Sequence, residues 1–179
     1  FGPGLTIDLG WLSIPLLFFV VIGTVNGTNF TDGLDGLASS VTVIVAVFFS
    51  VVALGTGTGI APVTLAVAGG LLGFLLFNVY PASVFMGDTG SLALGGFVAS
   101  VAYMLNMPLF LLLVGLIYMV EVLSVIIQVT YFKATHGKRF FKMAPIHHHF
   151  EKCGWSETRV VTVFSIIEAF CCLIALAAM

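Results

Sequence analysis

Residues 37–54 read LASSVTVIVAVFFSVVAL, a run of eighteen residues without a charged side chain. A helix that crosses a bilayer needs about 20 mostly apolar residues, so this stretch predicts a membrane span. The rest of the chain has the same character, because 60% of its 179 residues are hydrophobic, 8% are charged and the mean hydropathy is +1.19. Soluble globular domains carry about 25% charged residues. The composition therefore excludes a soluble domain and predicts an all-α membrane protein.

Further apolar runs before and after this stretch predict about six membrane helices in a single polytopic domain. Short turns at 55–59 and 106–108, which contain Gly or Pro, would join helices on one side of the bilayer. Longer polar connections at 26–36, 81–90 and 133–158 then share the opposite side. The predicted spans are residues 11–25, 37–54, 63–80, 91–107, 109–132 and 159–178.

The basic residues are concentrated in one connection. All six Lys and Arg residues lie within or at the edge of residues 133–158. Because the cytoplasmic loops of membrane proteins are enriched in Lys and Arg, this side is predicted to be cytoplasmic. The other two polar connections would face the cytoplasm as well. The formal net charge of −2 gives no reason to expect a nucleic acid partner.

The first polar connection contains two amides and two carboxylates at the junction of two membrane helices, namely Asn26, Asn29, Asp32 and Asp35. If the segment is helical, aspartates three residues apart share a face. The adjacent Gly33 would let a ligand approach the backbone closely. A solvated loop with a helix N-cap is the alternative, but one cap needs only one such residue. The density of polar groups therefore favours a binding site.

The second polar connection carries a lone carboxylate, Asp88, flanked by glycines. Mg²⁺ typically takes one or two carboxylates and completes its shell with phosphates and water, so Asp88 is a candidate metal ligand. The alternative is an N-cap for a helix that starts at Ser91. Phe85 is either an anchor at the lipid interface or a stacking surface for a base, and its position in the sequence does not separate the two.

The third polar connection contains three consecutive histidines, His147, His148 and His149, within a basic segment. No Cys or carboxylate stands at zinc-ligand spacing from them, so a structural zinc site is a weak interpretation. Imidazoles close to Lys and Arg fit phosphate recognition better. A solvated loop stays the alternative.

Glu121, Gln128 and Glu168 fall inside predicted spans and call for an explanation. Glu121 and Gln128 are seven residues apart and hence on nearly the same face of one helix. Gln128 is near the cytoplasmic end and is expected to reach the site, whereas Glu121 and Glu168 are expected to make hydrogen bonds between helices. Acids within the membrane are functional candidates, so a transporter with an acidic cytoplasmic vestibule is an alternative function.

Three motifs together resemble the polyprenyl-phosphate N-acetylhexosamine-1-phosphate transferase superfamily. They are residues 29–37 (NFTDGLDGL), 77–95 (FNVYPASVFMGDTGSLALG) and 143–150 (MAPIHHHF). The third motif is the most specific, because the triple histidine separates the branch that acts in peptidoglycan synthesis from its relatives. The resemblance extends over the whole chain.

The resemblance implies a Mg²⁺-dependent phospho-sugar transferase. UDP-N-acetylmuramoyl-pentapeptide would give its phospho-sugar to undecaprenyl phosphate, releasing UMP and forming the first lipid-linked intermediate of peptidoglycan. The enzyme would lie in the bacterial cytoplasmic membrane, with its active site on the cytoplasmic face. A related polyprenyl-phosphate transferase is the alternative within the superfamily.

Matching positions carry the family's functional residues onto this chain. Asp88 resembles the metal-binding aspartate, and Asp32 belongs to an acidic pair near the nucleotide. His147 and His148 resemble histidines near the diphosphate or the sugar, so these four residues are the expected catalytic set. The expected substrate-binding residues are Asn29, Gly33, Leu34, Asp35, Phe85, Asn78 and Gln128. Phe85 matches the aromatic residue that stacks on uracil, and nucleoside-type inhibitors are expected in the same pocket.

One feature of the family is missing. Members carry an Asp-Asp motif with a nearby Lys in an earlier cytoplasmic loop, and this chain has no adjacent aspartates. We therefore expect residues 1–179 to be the C-terminal part of a longer enzyme and of a larger helical bundle. The resemblance also implies a homodimer.

Overall fold

The computed structural model describes residues 9–179, which contain helices and no strand. The helices in chain order are α1 (Ser13–Thr31), α2 (Leu37–Thr56), α3 (Ala61–Asn78), α4 (Gly87–Met104), α5 (Leu111–Val114), α6 (Leu116–Ala134), α7 (Ile146–Lys152) and α8 (Glu157–Ala177). Short 3₁₀ turns precede α1 and α5. The all-α prediction is confirmed.

Five stretches of the described chain are long and apolar enough to cross a membrane. They are Gly10–Thr31, Leu37–Thr56, Ala61–Asn78, Leu116–Ala134 and Glu157–Ala177. The sixth long helix, α4, has 18 residues. It falls outside this set because Asp88 and four glycines lower its hydropathy. The chain is a multi-pass membrane protein, and the six predicted spans correspond to these five stretches and α4.

The prediction of one continuous helix over residues 109–132 is wrong, because the helix is interrupted at Gly115. The short helix α5 ends before this residue and α6 begins after it, with Gly115 at φ −129°. A side chain at Gly115 would lie 2.9 Å from the carbonyl oxygen of Leu111. Oε2 of Glu168 accepts a hydrogen bond from the N–H of Ile117 at 3.1 Å, at the start of α6. The expected hydrogen bond of Glu168 between helices is thus confirmed, and its partner is a backbone amide that the break exposes.

The helices form two layers around α2, most of which is buried. Helix α2 packs against α3 and α8, and α1 packs against α4 and α6. Buried hydroxyl groups join neighbouring helices, with Thr42 and Tyr118 at 2.8 Å and Ser50 donating to Thr64 at 2.8 Å. Such hydrogen bonds satisfy polar groups that lipid cannot satisfy.

Small residues set the separation of α1 from its two neighbours. A side chain at Gly27 would lie 2.8 Å from the Cβ of Tyr118 on α6. A side chain at Gly95 of α4 would lie 2.5 Å from the Cα of Val25. The backbones of these helices therefore approach more closely than larger residues would allow. Direct contacts described below join the three polar connections, which confirms the prediction that they share one side.

Candidate active site

Asn29, in the last turn of α1, connects the first polar connection to the second. Its Nδ2 donates to Oδ1 of Asp88 at 3.1 Å and to Oγ of Ser91 at 2.9 Å. Helix α4 begins at Gly87, so exposed Asp88 lies in the first helical turn, where a negative charge is favoured. The alternative of Asp88 as the N-cap of a helix from Ser91 is wrong, because the helix begins four residues earlier.

Asp32 follows α1 and faces Asp88. Burial of Asp32, and to a lesser degree the negative charge of Asp88, raise the pKa of Asp32 to about 6. Two carboxylates that repel each other form a centre that a divalent cation would stabilise. No group of three His, Cys, Asp or Glu side chains converges among residues 9–179. Mg²⁺ fits such a centre, because it commonly uses one or two carboxylates together with water and phosphate.

Asp35 is held by two hydrogen bonds, neither of them to Asp32 or Asp88. Its Oδ2 accepts from the N–H of Ala82 at 2.9 Å, and its own N–H donates to Oε1 of Glu157 at 2.6 Å. The residues between α1 and α2 form a turn and no helix, so Asp32 and Asp35 do not share a helical face. Asp35 fastens the turn to the second connection and to α8. The role of Glu157 could not be predicted from the sequence, because this residue is 122 positions away from Asp35 in the chain.

Asn78 links the second connection to α2 through two hydrogen bonds. This buried side chain accepts from Oγ of Ser39 at 2.8 Å and donates to the carbonyl oxygen of Val84 at 2.9 Å. Next to Val84, the ring of Phe85 is 72% exposed. Phe85 is free to stack on a base or to anchor at the interface, so both interpretations stay open. A contact of Asn78 with substrate stays a prediction, and in this structure the side chain is buried.

The last connection folds back along α6 and places α7 beside its middle. Gln128 accepts hydrogen bonds from the N–H groups of Phe140 and Phe141, at 3.2 and 2.8 Å. Nearer the start of α6, Glu121 accepts from the N–H of Ile146 at 2.9 Å. The expected hydrogen bond of Glu121 between helices is thus confirmed, with α7 as the partner helix, and a substrate contact of Gln128 stays a prediction.

His147 is buried between α6 and the first turn. Its Nδ1 lies 3.0 Å from Oε1 of Glu121, and its Nε2 has no hydrogen-bond partner among the described residues. The ring lies directly beneath Gly33. Contact of His147 with the diphosphate or sugar stays a prediction, and this structure offers the ring no open side. Leu34, the residue after Gly33, is buried in the core.

The other two histidines have different partners. Nδ1 of His148 lies 2.6 Å from Oε2 of Glu151, and this pair is partly exposed. Nδ1 of His149 accepts from the N–H of Lys142 at 3.1 Å. Of the two expected catalytic histidines, only His148 is reachable from solvent. Asp32 and Asp88 thus lie close together at the polar ends of the helices, Phe85 precedes Asp88 by three residues, and the ring of His148 lies beside that of buried His147.

The family model described as glycosyl transferase family 4 matches residues 1–106, more than half of the chain. The chain belongs to this family.

Curated relatives narrow the comparison. Proteins named phospho-N-acetylmuramoyl-pentapeptide-transferase are 59% identical in Clostridium botulinum, 58% in Clostridium perfringens and 57% in Acetivibrio thermocellus. Each alignment covers 97% of this chain and 53 to 54% of the relative. The resemblance indicated by the three motifs is confirmed. The chain spans about half the length of the curated relatives it matches.

Proposed function

We propose that the complete enzyme transfers phospho-N-acetylmuramoyl-pentapeptide from its UDP-linked donor to undecaprenyl phosphate. The reaction releases UMP and forms the first lipid-linked intermediate of peptidoglycan synthesis. The names of relatives at 57 to 59% identity support this proposal. The observation that carries it is the contact of Asn29 with Asp88, which assembles an acidic centre at one end of an apolar helix bundle.

The proposed location is the bacterial cytoplasmic membrane, with the acidic centre facing the cytoplasm. The Lys and Arg residues lie in the last turn of α6, in the connection that follows it or at the start of α8, on the same side as Asp88. A basic connection is typical of the cytoplasmic side. The donor is a soluble anion and the acceptor a lipid phosphate, so a centre at the end of the bundle is accessible to both.

The proposed cofactor is Mg²⁺, held by Asp88 with Asp32 beside it. When bound, the ion would neutralise and orient the diphosphate of the donor. The fit rests on the two mutually repelling carboxylates, of which Asp88 is exposed. Asn29 keeps the Asp88 carboxylate in place by a hydrogen bond, and this bond also fixes the ends of α1 and α4.

The remaining site residues either bind the substrate or hold the site in its shape. Phe85 offers an exposed ring for uracil, and nucleoside-type inhibitors would compete there. His148 and the basic side chains of the last connection attract the diphosphate. Asp35 and Asn78 hold the second connection in the position that presents Phe85. A homodimer is part of the proposal.

The transporter alternative loses its main support. Glu121 and Glu168 are both buried, and each accepts a hydrogen bond from a backbone amide, of Ile146 and Ile117 respectively. Acids that line a transport path face water or each other, whereas these two hold helix starts in place.

The test is reconstitution of the full-length enzyme with UDP-N-acetylmuramoyl-pentapeptide and undecaprenyl phosphate. The expected result is a lipid-linked product with one UMP released for each product molecule, abolished by chelation of divalent cations. A UDP-N-acetylglucosamine donor serves as the control and should give no product. Product from that donor alone would indicate a related transferase, and solute flux without lipid-linked product would indicate a transporter.

A further inference from the structure

A buried carboxylate on α6 holds the start of α7 through two contacts. Oε1 of Glu121 lies 3.0 Å from Nδ1 of His147, and Oε2 accepts from the N–H of Ile146 at 2.9 Å. The side chains of Glu121 and His147 are both almost fully buried. Burying a carboxylate is costly, and apolar residues of similar volume are often at least as stabilising. The pair therefore calls for a role in geometry.

The imidazole has one orientation available. With Nδ1 directed at the Glu121 carboxylate, Nε2 is directed at the first turn, where Gly33 occupies the space above it. A methyl group on Gly33 would lie 2.7 Å from Cε1 of His147 and closer still to Nε2, so only glycine fits. The other side of Gly33 is exposed. The ring supports the turn from its buried side and leaves the outer side open.

The turn that rests on this ring carries both aspartates of the first motif. Asp32 precedes Gly33 and faces Asp88, while Asp35 follows it and binds the N–H of Ala82. A shift of the ring would move both carboxylates at once. The three atoms that would lie nearest to a methyl group on Gly33 all belong to the His147 ring.

We propose that Glu121 is a positioning residue for the reaction, acting through His147, which in turn holds the acidic turn through Gly33. His147 is then a positioning residue as well and does not touch the substrate. This inference rests on the proposed function. It adds a chain of contacts from α6 to the acidic centre, and it gives the triple-histidine motif a structural task.

The test compares two replacements of His147 in the full-length enzyme. Asparagine places its amide nitrogen near the position of Nδ1, so His147→Asn keeps a donor to Glu121 and has no atom at Nε2. Glutamine reaches the position of Nε2, so His147→Gln leaves Glu121 without its partner. Each variant breaks one end of the chain of contacts, so we expect both to lose about 100-fold in turnover, the cost of a misplacement near 1 Å.

A size exchange tests the contact with Gly33. Gly33→Ala should lose turnover, because its methyl group overlaps the imidazole ring. In the Gly33→Ala background, His147→Asn vacates that space and should raise turnover by about tenfold over Gly33→Ala alone, near the middle of the range of coupling between contacting residues. Variants are compared as folded protein, by size-exclusion profile and thermal unfolding in detergent.

Three outcomes would overturn the inference. If Nε2 takes part in chemistry, His147→Gln will be more active than His147→Asn, and the double variant will be no better than Gly33→Ala. If His147→Asn and Glu121→Gln lose folded protein to the same extent, the pair of Glu121 and His147 contributes only to stability. A different result would contradict the proposed function itself, namely that the wild-type enzyme forms no lipid-linked product under the same conditions.

Discussion

Asn29 donates a hydrogen bond from Nδ2 to Oδ1 of Asp88 across 3.1 Å, although the two residues are 59 positions apart in the chain. The contact joins the last turn of α1 to the first turn of α4 and sets where the exposed carboxylate lies. A hydrogen bond to an ionised carboxylate is among the stronger ones in proteins. The geometry of the acidic centre therefore depends on an amide that has no charge of its own.

Replacement of Asn29 by alanine is predicted to weaken the acidic centre without unfolding the bundle. Loss of a residue that orients a metal ligand typically costs about 10- to 100-fold in metal affinity or activity. The Mg²⁺ concentration for half-maximal turnover should rise in Asn29→Ala. Asn26→Ala is the matched control, because within residues 9–179 the side chain of Asn26 bonds only to the carbonyl oxygen of Ile22 in its own helix. Equal Mg²⁺ curves for the two variants would contradict the prediction.

Replacement of Phe85 separates stacking from interface anchoring. Base-aromatic stacking contributes about 1 to 3 kcal/mol, so Phe85→Leu should raise KM for the UDP donor by about 5- to 150-fold. Phe85→Trp keeps an aromatic surface and should restore KM. An interface anchor needs only an apolar side chain, so unchanged KM in Phe85→Leu would show that the exposed ring faces lipid.

Removal of the Asn78 amide is predicted to destabilise the protein. Asn78→Ala leaves Ser39 and the carbonyl oxygen of Val84 without their partner, and an unsatisfied buried polar group costs about 1 to 3 kcal/mol. Thermal unfolding in detergent should show a lower Tm. Ser39→Ala removes the hydroxyl that donates to Asn78, so the two substitutions should be less than additive. Full additivity would indicate that the two side chains act independently.

The membrane helices could be predicted from the sequence because apolar runs of this length have few other uses. The break at Gly115 could not, since a single glycine in an apolar run is often tolerated within a helix. Helix α4 begins at Gly87, earlier than expected, because the polar first turn with Asp88 hides the start of the apolar run.

The acidic centre could be predicted only in outline. The motif around residues 29–37 and Asp88 indicated a shared site, and the Asn29–Asp88 contact joins them. The pair of Glu121 and His147 could not be predicted, because the last connection folds back along α6 and sequence spacing does not reveal this. The same fold-back places Gln128 against Phe140 and Phe141, well before the histidines.

The most direct test of the account is the Mg²⁺ dependence of product formation by full-length Asp88→Asn. Glu168→Gln is the control, because it makes the same acid-to-amide change and keeps an oxygen for the N–H of Ile117. A metal that stabilises transferring phosphate contributes several kcal/mol, so Asp88→Asn should lose about 1000-fold in turnover and gain nothing from added Mg²⁺. Glu168→Gln should keep wild-type Mg²⁺ dependence. Near wild-type turnover of folded Asp88→Asn would contradict the account.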